Sequence, residues 1–550
     1  MSYKLAQLEF SSNCCFCLSG LNLRWSFALF GILLMCFISP VFAQNVSSVE
    51  YVLKTTFEKS PDVHISSLNI DFREGRVMQA SGEFNPVLNF GINKSHNVRP
   101  ALIDERNGWL GLTPNESFST DLLEYELAVT KRFQSGTFIK TALGLVNFGR
   151  DALYDDLSSA GFGDYITNRG QVFVDVTQPL LQGRGKKYYG ATIEIEELRL
   201  SQAQLTYAFQ VSAQAYVVLL NYLNVVSAKK ELDIQLSIEK NYAEFEEQLR
   251  MLAEKDVIPK AELTFIKANL SRQHATVANS KSAYAETKNR LLEAMGISSA
   301  EVGKYNFSSM SYGIDSLTNA IEDGYLSYWL EKASTTRGDY LAAQKSIAIN
   351  NREIEFADQQ NQARLDVTLG LGYNGIYESN SFEQYVAPFY SNIPGVSYRA
   401  GLVFQWPMGM KTTKGVYASA LAEKQISEEE VKSLGLNIQQ QLSSYYNDII
   451  YYNEAVKQAQ KSVEYNLKAR TNEYLKLQLG TSTVVNLVQV QNNYALAQTT
   501  LNRLKLALNS AIIKFRFESG NLIQISEKNE IIVSVNELFT LPNTTASNEK

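Results

Sequence analysis

Residues 186–253 and 416–479 each run without a proline and are dense in Ala, Leu, Glu, Gln and Lys. Each stretch predicts one long helix, and at 1.5 Å per residue such a helix reaches on the order of 100 Å. That is several times the length of an ordinary globular helix. A compact core cannot cover rods of this length, so they must pack against one another. The last helical stretch shows how: Leu487, Val490, Tyr494, Ala497, Leu501, Leu504, Leu508, Ala511 and Phe515 advance in alternating steps of three and four. That spacing is a coiled-coil seam, and it assigns these side chains to packing. Leu263, Ile266, Leu270, Val277, Tyr284 and Leu291 sketch the same stripe more weakly.

The rods belong to a duplication. Residues 256–296 align without gaps on 480–520 at a shift of 224, each copy being a turn followed by a helix, and residues 60–80 align on 337–357 at a shift of 277. Each copy reads as helix, strands, very long helix, tight turn, helix. In the first, Leu88, Phe90 and Ile92 alternate with Asn89, Gly91 and Asn93; in the second, Val367, Leu369, Leu371 and Tyr373 alternate with Asp366, Thr368, Gly370 and Gly372. The returning segments alternate as well, Val172, Val174 and Val176 in one and Tyr398, Ala400, Leu402, Phe404 and Trp406 in the other. A period of two with one apolar face is strand chemistry. Segments of roughly ten residues with aromatics near their ends suit an outer-membrane barrel, although any one of them also suits a half-buried strand of a soluble sandwich.

The N-terminus predicts an export leader over residues 1–43: Lys4 and Arg24, an apolar run at 25–38, then Val41 and Ala43 as small or modest residues before a cleavage point. The run is short of the ~20 residues that a transmembrane helix needs. All four cysteines (Cys14, Cys15, Cys17 and Cys36) lie in this leader, which removes disulfides and Cys-ligated metals from the remainder. Cys36 follows Leu33-Leu34-Met35, and a lipid-attachment site wants small residues there. No apolar run of membrane-helix length is read after residue 43, so a membrane location requires a β-barrel. A formal charge of −6 with no basic stripe argues against a nucleic-acid partner.

Chemistry is sparse. Gly370-Leu371-Gly372-Tyr373-Asn374-Gly375 spells the dinucleotide fingerprint but sits inside a strand with no helix after it, so small lumen-facing residues are the better reading. His64, His96 and His274 are far apart and lack partners at metal spacing. No nucleophile, base and acid set assembles locally, and Glu428-Glu429-Glu430 reads as a solvated helix face. An enzyme, a metal and a cofactor are therefore not expected.

Three segments, in order and within the duplicated plan, resemble the TolC family of outer-membrane efflux proteins. They are Thr177-Gln178-Pro179-Leu180-Leu181-Gln182-Gly183 at a strand-to-helix junction, Leu479-Gly480-Thr481-Ser482-Thr483 at a helical turn, and Leu487-Val488-Gln489-Val490-Gln491-Asn492-Asn493-Tyr494-Ala495-Leu496-Ala497-Gln498 beyond it. The resemblance implies an α+β membrane protein: a homotrimer whose transmembrane β-barrel takes four strands per subunit and continues as a long periplasmic α-helical barrel. It places the chain in the cell outer membrane, extending into the periplasm. It implies a channel of a tripartite efflux or type I secretion system, giving substrates passive passage from a periplasmic adaptor (membrane fusion) protein and inner-membrane pump to the exterior.

On that plan the first repeat covers 44–300, with strands within 86–180, a long helix at 186–253 and a helix at 259–296. The second covers 301–520, with strands at 365–406, a long helix at 416–479 and a helix at 483–518, and 521–550 is a tail expected to be mobile and without a role. Residues 374–397 read as an extracellular loop. The helical tips that meet the adaptor would be Asp256, Val257, Ile258 and Pro259 with Gly480, Thr481, Ser482 and Thr483.

Two departures matter. Residues 122–147 form an extra hairpin, giving the first repeat about four strand candidates where the family plan needs two; it reads as an extracellular or rim ribbon, with a larger barrel left open. Some family members carry acidic residues just inside the closed tip, and the matching positions here are neutral Asn486 and Gln489, with Glu262 in the first repeat. These three residues would line the pore constriction, with cation selectivity weaker than in acid-ringed relatives. The alternative for Glu262 is a solvated helix residue beside Lys260. The competing function is a secreted periplasmic coiled-coil scaffold without a pore, which explains the seams and leaves the alternating segments unexplained.

Overall fold

The computed structural model describes residues 44–45, 48–100, 117–148, 167–254, 259–298, 300–301, 305–307, 310–317, 324–379, 381–390, 394–525, 531–532, 534 and 537–542. The expected leader at 1–43 and the tip residues Asp256, Val257 and Ile258 lie outside them.

The first repeat holds α1 (Val49–Lys59), α2 (Pro61–Gly82), β1 (Val87–Pro100), β2 (Ser117–Arg132), β3 (Phe138–Phe148), β4 (Thr167–Pro179), α3 (Ala191–Glu254) and α4 (Lys260–Ala294). The second holds α5 (Tyr325–Thr336), α6 (Gly338–Gln360), β5 (Arg364–Glu378), β6 (Pro394–Gln405), α7 (Lys411–Gln478) and α8 (Val484–Glu518). The 64 residues of α3 and 68 of α7 make rods of roughly 100 Å. The first long stretch is not one helix from residue 186, because a single turn, Lys186–Tyr189, ends at Gly190 before α3 begins.

The rods pack as two layers, each four helices wide. Nearer the sheet the order is α2, α3, α6, α7; further from it α4 and α8 replace α2 and α6 beside the same two rods. At the level where the layers meet, Val52 and Leu53 of α1, Val218, Leu219 and Leu223 of α3, Leu291 and Leu292 at the end of α4 with Met295 just after it, and Ile513 of α8 form one buried cluster. Trp329 and Ala333 of α5, Leu442 and Ile449 of α7, and Leu508, Ile512 and Phe515 of α8 form its counterpart. By length and composition alone α3 could cross a bilayer, which corrects the sequence reading, but half of its most apolar window is buried inside the molecule. That window serves as core.

Each repeat has a kink between its first two helices. Ser60 is extended (φ −68, ψ 121) ahead of Pro61, as a residue before proline must be; Arg337 takes the same conformation (φ −73, ψ 122). Gly296 and Gly520, related by the 224-residue shift, both have positive φ (+75 and +70) and lie against those two kinks. A Cβ on Gly296 would fall 2.5 Å from the Lys59 carbonyl oxygen, and one on Gly520 would fall 3.0 Å from the Arg337 nitrogen.

The strands form one antiparallel sheet in the order β1-β2-β3-β4-β5-β6. The extra hairpin β2–β3 thus lies inside the sheet, between β1 and β4, and is not a rim ribbon. Two further expectations are corrected. The loop is shorter than 374–397, because β5 runs to Glu378 and β6 begins at Pro394. The tail is partly core: Leu522, Ile523, Leu538 and Phe539 are buried, and Arg516 donates to the carbonyl oxygens of Thr540 (2.7 Å) and Asn521 (3.1 Å). Burial lowers the Arg516 pKa to about 10, against the pull of Glu537.

Candidate functional site

The sheet has two unlike faces. One row across all six strands reads Phe90, Leu127, Leu143, Val172, Tyr373 and Val396; a row on the opposite face reads Gly91, Glu126, Gly144, Gln171, Asn374 and Gly395. The apolar face is open to the surroundings, with Phe90 68% and Val396 80% exposed. A soluble protein would not leave a contiguous apolar face of this size uncovered. Along β6 the apolar side chains continue from Val396 to Phe404, a height of roughly 20 Å for a tilted strand. Near the outer end, the segment 381–390 folds over this face: Tyr385 meets Tyr125 edge to face at 6.4 Å, while Phe382 and Tyr390 stay exposed. Aromatics at such a boundary match the girdle of a membrane barrel.

The polar face carries ion pairs. Lys140 reaches Glu126 at 2.7 Å, and Arg399 reaches Asp175 at 2.7 Å. Asp175, Gly370 and Arg399 share one row, so the second pair spans the middle strand β5. A Cβ on Gly370 would lie 2.4 Å from the Asp175 carboxylate oxygen. This gives Gly370, one glycine of the apparent fingerprint, its physical reason: the strand must be bare where two neighbours join hands across it. The histidines remain apart, His64 beside the Glu58 carbonyl, His96 beside Asp121 and His274 beside Glu239.

At the far end, α7 stops in a Schellman turn: Gly480 (φ +73) donates to the Leu477 oxygen and Thr481 to the Lys476 oxygen. Thr483 then caps α8, its hydroxyl accepting from the Asn486 nitrogen at 3.3 Å. Ser482 donates to Glu473, and this hydroxyl, with Lys476 behind it, holds the Glu473 carboxyl below its ordinary range. In the other tip, Pro259 is the N-cap of α4 and offers no side-chain bond.

The two tips share one apolar cluster, in which Leu263 and Ile266 of α4 join Val484, Leu487 and Val488 of α8, Tyr242 and Phe245 of α3, and Tyr474 of α7. The three residues expected to line a constriction lie outside it. Glu262 is half-buried in the first turn of α4, Asn486 and Gln489 are exposed on α8, and Gln489 bonds Asn493 of its own helix at 3.2 Å. Sequence reasoning missed three ties here: Tyr474 to Gln248 (3.0 Å), Tyr242 to Asn492 (2.8 Å), and Ser482 to Glu473. The first two join residues more than two hundred positions apart, so no local pattern could have revealed them.

Neither a family model nor a curated protein matches this sequence. Solved structures do. The outer-membrane channel OprN is 12% identical with a TM-score of 0.62, covering 86% of this chain and 90% of its own. The outer membrane protein VceC of Vibrio cholerae is 12% identical with a TM-score of 0.58, covering 86% and 96%. The Campylobacter jejuni CmeC outer membrane channel is 11% identical with a TM-score of 0.59, covering 86% and 85%. Over 86% of its length, this chain has the TolC-like fold of these outer-membrane channels.

Proposed function

We propose that this chain is the outer-membrane channel of a tripartite efflux or type I secretion system. The observation that carries the reading is the sheet, whose exposed apolar face and ion-paired polar face suit lipid on one side and water on the other. Three copies close it into a barrel, and the four-wide layers of helices continue the tube through the periplasm. Edge rods supply the seams between copies: α2 exposes Ile65, Leu68 and Phe72, and α7 exposes Leu436, Tyr451 and Tyr465. The tips, from 256–259 and Gly480 to Thr483, meet a periplasmic adaptor that is coupled to an inner-membrane pump. Glu262, Asn486 and Gln489 line the constriction, and transport through it is passive.

Detergent-extracted outer membranes are expected to yield a trimer whose gel migration changes on heating and which passes current across a planar bilayer. A soluble, monomeric, non-conducting protein would overturn the reading in favour of the scaffold. At the constriction, Glu262→Gln is expected to reduce the channel's preference for cations; unchanged ion selectivity would remove Glu262 from the pore.

A further inference from the structure

We infer that each copy contributes six strands to the barrel, so that the closed trimer is eighteen-stranded. This rests on the channel reading above and changes the width of its outer half.

Four observations carry it. First, the inserted hairpin is paired along its length on both sides: β2 to β1 from Val87↔Thr130 to Pro100↔Ser117, and β3 to β4 from Phe138↔Thr177 to Phe148↔Thr167. A ribbon standing off the rim would leave β1 free to pair with β4, and it does not. Second, the hairpin carries the same two faces as the rest, with Leu127, Val129, Ile139 and Leu143 on the apolar one and Glu126 and Lys140 on the polar one. Third, its turn is fastened at the helical end of the sheet: Gly185 donates to the Ser135 oxygen at 2.9 Å, and Arg132 pairs with Glu83, just after α2, at 3.1 Å. The hairpin therefore spans the full height between the helices and the outer loops.

Fourth, the edges and widths agree. The free edges are β1 and β6; with six strands alternating in direction they run opposite ways, so β6 of one copy meets β1 of the next as an antiparallel pair. Six strands about 4.8 Å apart and tilted by ~40° span roughly 38 Å of circumference. Four packed helices span roughly 32–40 Å, so sheet and helices match without a taper. Four strands would span only about 25 Å. Three copies then give a barrel about 36 Å across at the backbone instead of about 24 Å, with roughly 2.25 times the cross-section. That is the size class of barrels with open aqueous lumens.

The test is a distance across the threefold axis in the full chain. Val174→Cys, in a background where Cys14, Cys15, Cys17 and Cys36 are serine, is spin-labelled on the lipid face and measured by pulsed electron resonance. Eighteen strands place the three Cα atoms ~31 Å apart and twelve place them ~21 Å apart, to which the outward label adds the same increment in either case. The longer spacing is expected; the shorter one in an intact trimer overturns the inference and leaves the channel reading standing. Labels with no intermolecular distance, in a protein that stays monomeric, take both down. An oxidation pair checks the result independently. Phe90→Cys with Leu127→Cys is expected to link within the chain, whereas Phe90→Cys with Val172→Cys, three strand spacings apart in the structure, is not. Efficient formation of the Phe90–Val172 link would mean that β1 pairs β4 and the hairpin is displaced.

Discussion

The two repeats follow one plan and differ at their waists. In the first, Ser60 occupies the kink, and Leu292 and Ala294 end α4 in an apolar setting. In the second, the equivalent positions are Arg337, Arg516 and Glu518, all strongly buried. Arg337 bonds Asp339 at 2.7 Å, pairs with Glu518, and lies over Phe209 and Phe517 at 5.6 Å from each ring. Burial works against the Arg337 charge, and Asp339 with Glu518 outweighs it, holding its pKa above the ordinary value; burial pushes the Glu518 carboxyl up despite the cation beside it. One geometry is thus held by two chemistries. The comparison teaches that the kink and its facing glycine are the shared requirement, and that the ion pairs are one way of filling the space between them.

The largest expected effect breaks the second waist. Arg337→Ala leaves two carboxylates without their cation and is expected to cost about 3–5 kcal/mol, read from denaturant unfolding of the solubilised protein. Arg337→Ser with Glu518→Ala gives two of the three positions the residues of the first waist, removing the buried pair together, and is expected to recover most of the loss. No recovery would mean that the two waists are not interchangeable. Next come the glycines: Gly296→Ala and Gly520→Ala force a side chain into positive φ, each costing about 1–3 kcal/mol. Gly296→Ala is expected to cost more in the same measurement, because its nearest contact is the Lys59 backbone while that of Gly520 is the Thr336 side chain.

The tips differ less. Thr483→Ala removes a cap from α8 and is expected to cost about 1 kcal/mol, seen as faster amide exchange in its first turn. Pro259→Ala, where no cap bond exists, is expected to leave the first turn of α4 without a comparable loss. The smallest effect separates the strands. Gly370→Ala displaces Asp175 from Arg399, an exposed pair worth at most about 1 kcal/mol, so stability is expected to hardly change while single-channel ion selectivity shifts.

Periodicity carries much of this architecture. The seam from Leu487 to Phe515 lies in one helix, and the alternation at 367–373 lies in one strand, because period reports which face of an element is apolar. It does not report which element lies next to it. Tyr125, Leu127 and Val129 would alternate identically in a rim ribbon and in the sheet wall, so only the pairing Phe90↔Leu127 settles the matter. The waist was illegible for a related reason: Arg337 and Glu518 are 181 residues apart, and neither breaks a local pattern. Leu538 and Phe539 are a short apolar pair without a period, which hid their place in the core. At the candidate constriction, the resemblance supplies the expectation for Asn486 and Gln489 and the duplication that for Glu262, but neither indicates the exposed setting of Asn486 and Gln489 beside the buried cluster.

The buried guanidinium of Arg516 has a consequence for biogenesis. It donates to two carbonyls that follow it in the chain, Asn521 and Thr540, so a polypeptide that stops between them loses one of the partners that offset its burial. Such truncated products are expected to be less firmly held at the waist and more open to proteolysis there.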